Sequence, residues 1–250
     1  MAYYASQLIK TAEREVGYLE KKSNKNLDSK TENAGYNNYT KYGEWFGLNH
    51  AYWCAMFVSW CFHAAYGDVG AKKLLCGGFS AACDTLRMQF LKANQFYYVP
   101  KVGDLIFFDG QRHSGANHIG IVYKVSGNTV YTIEGNTSVG ASVIDNGGGV
   151  AKKSYSTSYS RIMGYGRPKY DKEKTATTAT TATTAYYKKY TGLSKKIDVV
   201  FKAIGVPTNY YGTWKKRRPI AIKNGIENYT GTSAQNQKLI ALAKKGKLKK

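Results

Sequence analysis

No stretch of the sequence reaches the roughly 18 apolar residues that a membrane span needs, which argues against a transmembrane helix. The first twenty residues, MAYYASQLIKTAEREVGYLE, also lack the basic start and apolar run of a secretory signal. Glu13, Glu15 and Glu20 interrupt them, so synthesis in a cytoplasm without an export signal is expected. Acidic residues are scarce: 16 Asp and Glu stand against 37 Lys and Arg, a net charge of +21. That imbalance implies an anionic partner, whether nucleic acid, an anionic membrane surface or an acidic cell-wall polymer, and charge alone does not choose among them. Cysteine is sparse too. The four thiols (Cys54, Cys61, Cys76, Cys83) would make at most two disulfides, and a reducing compartment of synthesis favours free thiols. What is present is enough to fold: 43% hydrophobic and only 21% charged residues exclude a disordered chain. A length of 250 residues suits one medium domain and a small one.

The clearest boundary is TATTATTATTA at 175–185, which carries no charge and no large side chain. Alternating Thr lowers helix propensity and nothing in the stretch can be buried, so it reads as a tether, about 35–40 Å long if fully stretched. The expected division is therefore 1–170, a linker over 171–187, and a basic module over 188–250. Residues 186–250 hold 16 Lys and Arg against two acids.

Within the first part, Leu8, Ile9, Ala12 and Val16 fall at helical spacing over 3–15. Residues 17–50, rich in Gly, Asn, Lys and Tyr, read as a long surface loop. The run WCAMFVSWCFHAA from Trp53 to about Ala65 is apolar nearly all round and predicts a buried helix. Another helix is expected over 79–93. After Pro100 the pattern turns to strands: GDLIFFDG, NHIGIVYKV, NTVYTIEGN, VAKKSYS and RIMGYGRP. Helices first and an antiparallel sheet second define an α+β domain. In the tail, three helices are expected, one capped by Ser194 and ending at Gly205, one over 213–224 stopping at Gly225, and one opening with the capping box Thr232 to Gln235 and ending at Gly246.

A catalytic thiol must ionise, and a helix N-terminus favours the thiolate through its dipole and free N–H groups. Cys54 opens the buried helix, whereas Cys61 lies two turns further along it, and Cys76 and Cys83 lie in or beside a Gly-flanked loop. Position selects Cys54. Among the four histidines, His118 begins a strand that can hold an imidazole rigidly, whereas His113 and His50 sit on loops and His63 within the helix. Glu134 ends an otherwise uncharged strand, and His118 on a neighbouring strand can be the partner it demands. Asn136 can orient or polarise in the same place, and the Cys54 N–H is available as an oxyanion donor. The two cysteine pairs at spacing seven do not have zinc-ligand spacing.

WCAMFVSWC, GDLIFF, NHIGIV and IEGNTS, in this order, resemble the CHAP domain, the cysteine- and histidine-dependent amidohydrolase/peptidase of many phage endolysins. The resemblance covers roughly residues 5–168. It implies a papain-like fold with Cys54 as nucleophile, His118 as base, Glu134 and Asn136 supporting the histidine, and no cofactor. It also implies peptidoglycan and anionic wall polymers as partners, with neither nucleic acid nor membrane among them. The tail is similar to small helical modules appended to lysins of Gram-positive hosts, which implies wall binding. Such a protein would wait in the host cytoplasm until a phage-encoded pore released it. Some members of the family bind calcium through acids before the nucleophile; Trp45 to Tyr52 contain none, so no metal is expected there. The rival readings are a basic nucleic-acid-binding protein, which leaves the Cys, His and Glu blocks unexplained, and an inactive wall-binding protein.

Overall fold

The structure, a computed structural model, describes residues 2–110, 115–138, 143, 146–173 and 186–250. They form two compact units, Met1–Lys174 and Thr175–Lys250. The Thr/Ala stretch read as a tether lies outside the described residues, as does His113.

The first unit is α+β. Helix α1 (Ala5–Glu15) buries Leu8 and Ala12, with Ile9 and Val16 packed at its edge. Helix α3 (Cys54–Leu74) is buried nearly all round over its first part, as its composition requires. It outruns the expected end near Ala65. Gly67 takes a left-handed φ of 66°, open to glycine without a Cβ penalty, and a second helical stretch follows it to Leu74. Helix α4 (Cys83–Lys92) starts later than position 79, because the preceding residues are held as a turn. There the Ser80 hydroxyl accepts from Ala82 N–H at 3.0 Å, and Ser80 N–H donates to the Ser59 hydroxyl at 3.2 Å.

Six antiparallel strands follow: β1 (Phe96–Tyr97), β2 (Leu105–Asp109), β3 (Ala116–Ser126), β4 (Thr129–Thr137), β5 (Gly149–Ser156) and β6 (Ile162–Gly166). Their order in the sheet is β1-β6-β2-β3-β4-β5. Strand β1, two residues long, is too short to show a period. Both faces are covered. Leu105, Phe107, Ile119, Ile121 and Ile133 join the core formed with the helices, while Ile106, Phe108, Val122, Val130 and Tyr155 build a second one.

Residues 17–50 are not a plain surface loop. They contain α2 (Lys41–Phe46), whose N-cap Thr40 accepts from Gly43 N–H at 2.9 Å. Bridges join Lys21 to Ala34 and Tyr39, and Leu19 to Gly149. Tyr18, Tyr42 and even Lys21 are fully buried, the Lys21 ammonium donating to the Lys30 carbonyl and lying over the Tyr18 ring. The Gly, Asn and Lys content hid a segment that packs by its aromatic rings.

The second unit contains α5 (Ile197–Ala203), α6 (Trp214–Lys223) and α7 (Ser233–Lys244) around Val200, Phe201, Ile220, Leu239 and Tyr229. The capping box of Thr232 and Gln235 opens α7, and Gly205, Gly225 and Gly246 have positive φ just past the three helix ends. Helix α5 starts after Lys196 rather than being capped by Ser194, whose hydroxyl accepts from Lys196 N–H. Pro219 lies within α6. In the basic run of that helix, Arg217 is buried and structural. It donates to Asp198 at 3.1 Å, to the Tyr229 hydroxyl at 3.1 Å and to the Gly212 carbonyl at 2.9 Å. Among the described residues no helix is long and apolar enough to cross a membrane.

Candidate active site

Cys54 is the first residue of α3, and the N–H groups of this first turn have no partner within the helix. The residue before it fixes the entry of the helix. Trp53 is fully buried, stacks on Tyr42 with ring centres 5.4 Å apart, and donates its indole N–H to buried Glu20 at 3.0 Å. The segment before α3 is thus the bracket that holds the start of that helix.

His118 and Glu134 enter from adjacent strands and are both completely buried. The imidazole Nε2 lies 3.0 Å from Glu134 Oε2. A buried carboxylate without donors would be costly. Glu134 has further donors: the Tyr155 hydroxyl at 3.1 Å on the same oxygen, and the Thr132 hydroxyl on the other. As the carboxylate accepts, Nε2 carries a proton, which leaves Nδ1 as the ring nitrogen that gains or loses one. Among the described residues that nitrogen is buried without a hydrogen-bond partner, and Cys54 is the other ionisable group that acts on the ring.

Gly120 makes the approach of Glu134 possible. A Cβ there would stand 2.6 Å from Glu134 Cγ. Gly135 does the same for packing: a Cβ at that position would meet Phe57 of α3 at 2.6 Å.

The electrostatics follow from these contacts. The Cys54 thiol is held well below its ordinary value, first by a hydrogen bond with Cys83, against the opposing effect of burial, with His118 and the Ala55 N–H adding to the stabilisation. Burial alone would keep His118 neutral, but Cys54 and Glu134 together outweigh it and raise the imidazole well above the ordinary range. The arrangement favours a thiolate beside an imidazolium, the form in which a cysteine attacks a carbonyl.

Cys54, His118 and Glu134 are thus brought together. Asn136 is less closely joined: it is fully buried two residues beyond Glu134, in the irregular end of β4, with φ of 53°, and makes no hydrogen bond to the imidazole. Among the described residues neither of its side-chain amide atoms has a hydrogen-bond partner. Just past it, Thr137 and Ser138 border a cavity of about 400 Å³ that also touches Leu19, Tyr36 and Gly148. His50 and His63 have other engagements, His50 stacked on Tyr39 and His63 paired with Asp68 at 2.6 Å. Among the described residues no cluster of three or more His, Cys, Asp or Glu could hold a metal.

Three polar neighbours were not read from the sequence. Thr132 had a signal, since residues two apart on a strand share a face. Tyr155 had none, because its hydroxyl reaches Glu134 only in the register of β4 and β5 that sets Tyr155 opposite Val130. Cys83 was placed in or beside a loop; it starts α4, with its sulfur 3.4 Å from that of Cys54.

No curated protein matches the chain. A solved structure titled "The crystal structure of Ly7917" is similar to it at 13% identity and a TM-score of 0.38. The match covers 66% of this chain and 62% of that one, less than two thirds of its length. Residues 45–136 match the family described as the CHAP domain, a span that contains Cys54, His118, Glu134 and Asn136. Over that span the chain is similar to a CHAP domain, which is consistent with a cysteine- and histidine-dependent amidohydrolase or peptidase and, in general terms, with peptidoglycan hydrolysis.

Proposed function

We propose that the chain is an endolysin that cuts an amide bond of the bacterial cell wall through Cys54. The observation that carries this reading is the placement of the Cys54 thiol, at the start of α3, beside a buried His118 whose far nitrogen is held by Glu134. The Cys54 thiolate attacks the amide carbonyl, and the charge on the carbonyl oxygen falls to donors such as the Cys54 N–H. His118 as imidazolium gives its proton to the leaving amine, which leaves a thioester. Neutral His118 then takes a proton from water as that water attacks the thioester, and the Cys54 thiolate and the imidazolium are regenerated. Glu134 holds the ring's tautomer and balances its charge throughout. Asn136 enters in a narrower role, its buried side-chain amide polarising the end of β4 next to the cavity.

The bond is the muramoyl–L-alanine amide or a peptide bond of the stem or cross-link, since one mechanism serves both. The second unit, with 16 basic residues against two acids over 186–250, concentrates the enzyme on anionic wall polymers. Release to the wall during phage lysis of a Gram-positive host fits this division of labour.

The test is the appearance of new amino groups in purified Gram-positive walls, with wild type and Cys54→Ala compared. Amines from wild type alone support the reading, and the newly exposed N-terminal residue names the bond. Amines from both proteins, or from neither across a broad panel of walls, would overturn it.

A further inference from the structure

Cys83 has no part in the reaction just described, yet its sulfur lies 3.4 Å from that of Cys54. The two thiols are 6% and 4% exposed, and each is the first residue of its helix, α4 and α3. Two core thiols that only fill space would behave as small hydrophobes, with no ion between them. Here one of the pair faces a histidine. A sulfur anion buried at that point needs donors; the Ala55 N–H and His118 supply two.

We propose that Cys83 is a positioning residue for the nucleophile, its S–H donating a hydrogen bond to the Cys54 thiolate and holding that sulfur charged in front of His118. The inference rests on Cys54 being the nucleophile. The direction of the bond follows from the surroundings of the two sulfurs. Cys54 has His118 of β3, backed by Glu134 of β4, to favour its charge. Cys83 has the Cys54 sulfur and the neighbouring Asp84 carboxylate, both of which oppose a second anion, and burial acts in the same sense. Asp84 is itself fixed, accepting from Arg87 at 2.6 Å and from Ala116 N–H at 2.8 Å. The proton therefore stays on Cys83, and the bond points from Cys83 to Cys54.

The consequence is specific. A hydrogen bond that stabilises a thiolate raises its population but lowers its intrinsic nucleophilicity. Lowering the titration point by one pH unit gains up to about tenfold in thiolate, while a Brønsted slope of about 0.4–0.5 takes back about threefold. The gain exists only where the solution is more acidic than that point. Cys83 thus extends reactivity toward low pH and lowers it about threefold in alkali, where thiolate is complete with or without the bond.

The experiment reads the Cys54 thiolate without walls. Full-length wild type, Cys83→Ala and Cys83→Ser are alkylated with iodoacetamide across pH, and modification of Cys54 is followed by peptide mass. The acid limb is expected to move up by about one pH unit in Cys83→Ala, the size of a weak hydrogen bond to an ion. It should move less in Cys83→Ser, whose hydroxyl still donates. Cys83→Val, close in volume and without a donor, takes the place of alanine if the smaller side chain unfolds the protein. Packing alone would lower the melting temperature but leave the limb in place. Coincident limbs in wild type and the donor-free variant, or equal shifts with serine and without a donor, would overturn the proposal. Failure of the parent reading shows elsewhere, as amine release from walls by Cys54→Ala.

Discussion

Glu134 and His118 meet at 3.0 Å with neither side chain exposed to solvent. Burying two ionisable groups costs several kcal/mol per ion, and their mutual attraction offsets this only when the remaining hydrogen-bonding positions are filled. Thr132 and Tyr155 fill those of the carboxylate, and the Cys54 sulfur lies beside the free imidazole nitrogen. The charge on the thiolate side and the charge on the glutamate side therefore sustain one imidazolium between them.

Replacing Glu134 by Gln keeps the shape and removes the charge. The imidazolium then loses one of its two counter-charges, and the wrong tautomer becomes available. Amine release from walls is expected to fall by about 10²–10⁴-fold, the range in which neutralising a triad acid acts. Tyr155→Phe removes one donor of several and is expected to cost far less. Equal losses for the two variants would show that the charge is not what matters.

The pH profile follows from the directions of the two shifts. Cys54 is lowered, so thiolate is lost only well below the ordinary thiol value of about 8.5. His118 is raised, so its proton is lost only well above the ordinary imidazole value of about 6.5. The rate of wall hydrolysis is expected to stay level across neutral pH, with limbs on either side of that interval. A narrow bell confined between about 6.5 and 8.5 would mean that the ion pair is not formed in advance.

The sequence was most legible where one period or one position decided the matter. The run from Leu105 to Asp109 and the strand containing His118 stand where their apolar runs and lengths put them, and Cys54 opens α3 as its place after Trp53 implied. The support for Trp53 was hidden because Tyr18, Glu20 and Tyr42 are spread through a Gly- and Asn-rich segment and meet only in three dimensions. Cys83 was hidden because its role depends on where α4 begins, and element boundaries turn on local bonds such as those of Ser80. Nothing in the four consecutive cations from Lys215 to Arg218 sets Arg217 apart; only its contacts with Asp198 and Tyr229 place it inside the fold.

Gly120→Ala tests the fit of the carboxylate against β3. The added Cβ would stand 2.6 Å from Glu134 Cγ, which is not the free end of a flexible chain. Overpacking of this kind costs about 1–3 kcal/mol, and the relief available is to push Glu134 away from His118. Activity is expected to fall more steeply than the melting temperature. Gly78→Ala is the control, since a Cβ there meets nothing within 4 Å. If both variants keep wild-type activity, Glu134 can reach His118 without the space that Gly120 provides.

Trp53→Phe tests the bracket at the start of α3. Glu20 is 3% exposed, and burial raises its carboxyl above the ordinary range while the Trp53 indole N–H pulls in the opposite direction. Without that donor the buried carboxylate at neutral pH loses a hydrogen bond worth about 1–3 kcal/mol. The sign of the pH effect follows. A carboxyl whose folded value is raised binds its proton more tightly when folded, so its ionisation works against folding as pH rises past the unfolded value of about 4.3. Removing the indole donor enlarges that penalty. Thermal melts of Trp53→Phe against wild type should therefore show a larger deficit at pH 7 than at pH 4. Glu20→Gln, which has no charge to bury, should show no such dependence. An equal deficit for Trp53→Phe at both pH values would assign the loss to the missing indole volume instead of the bond to Glu20.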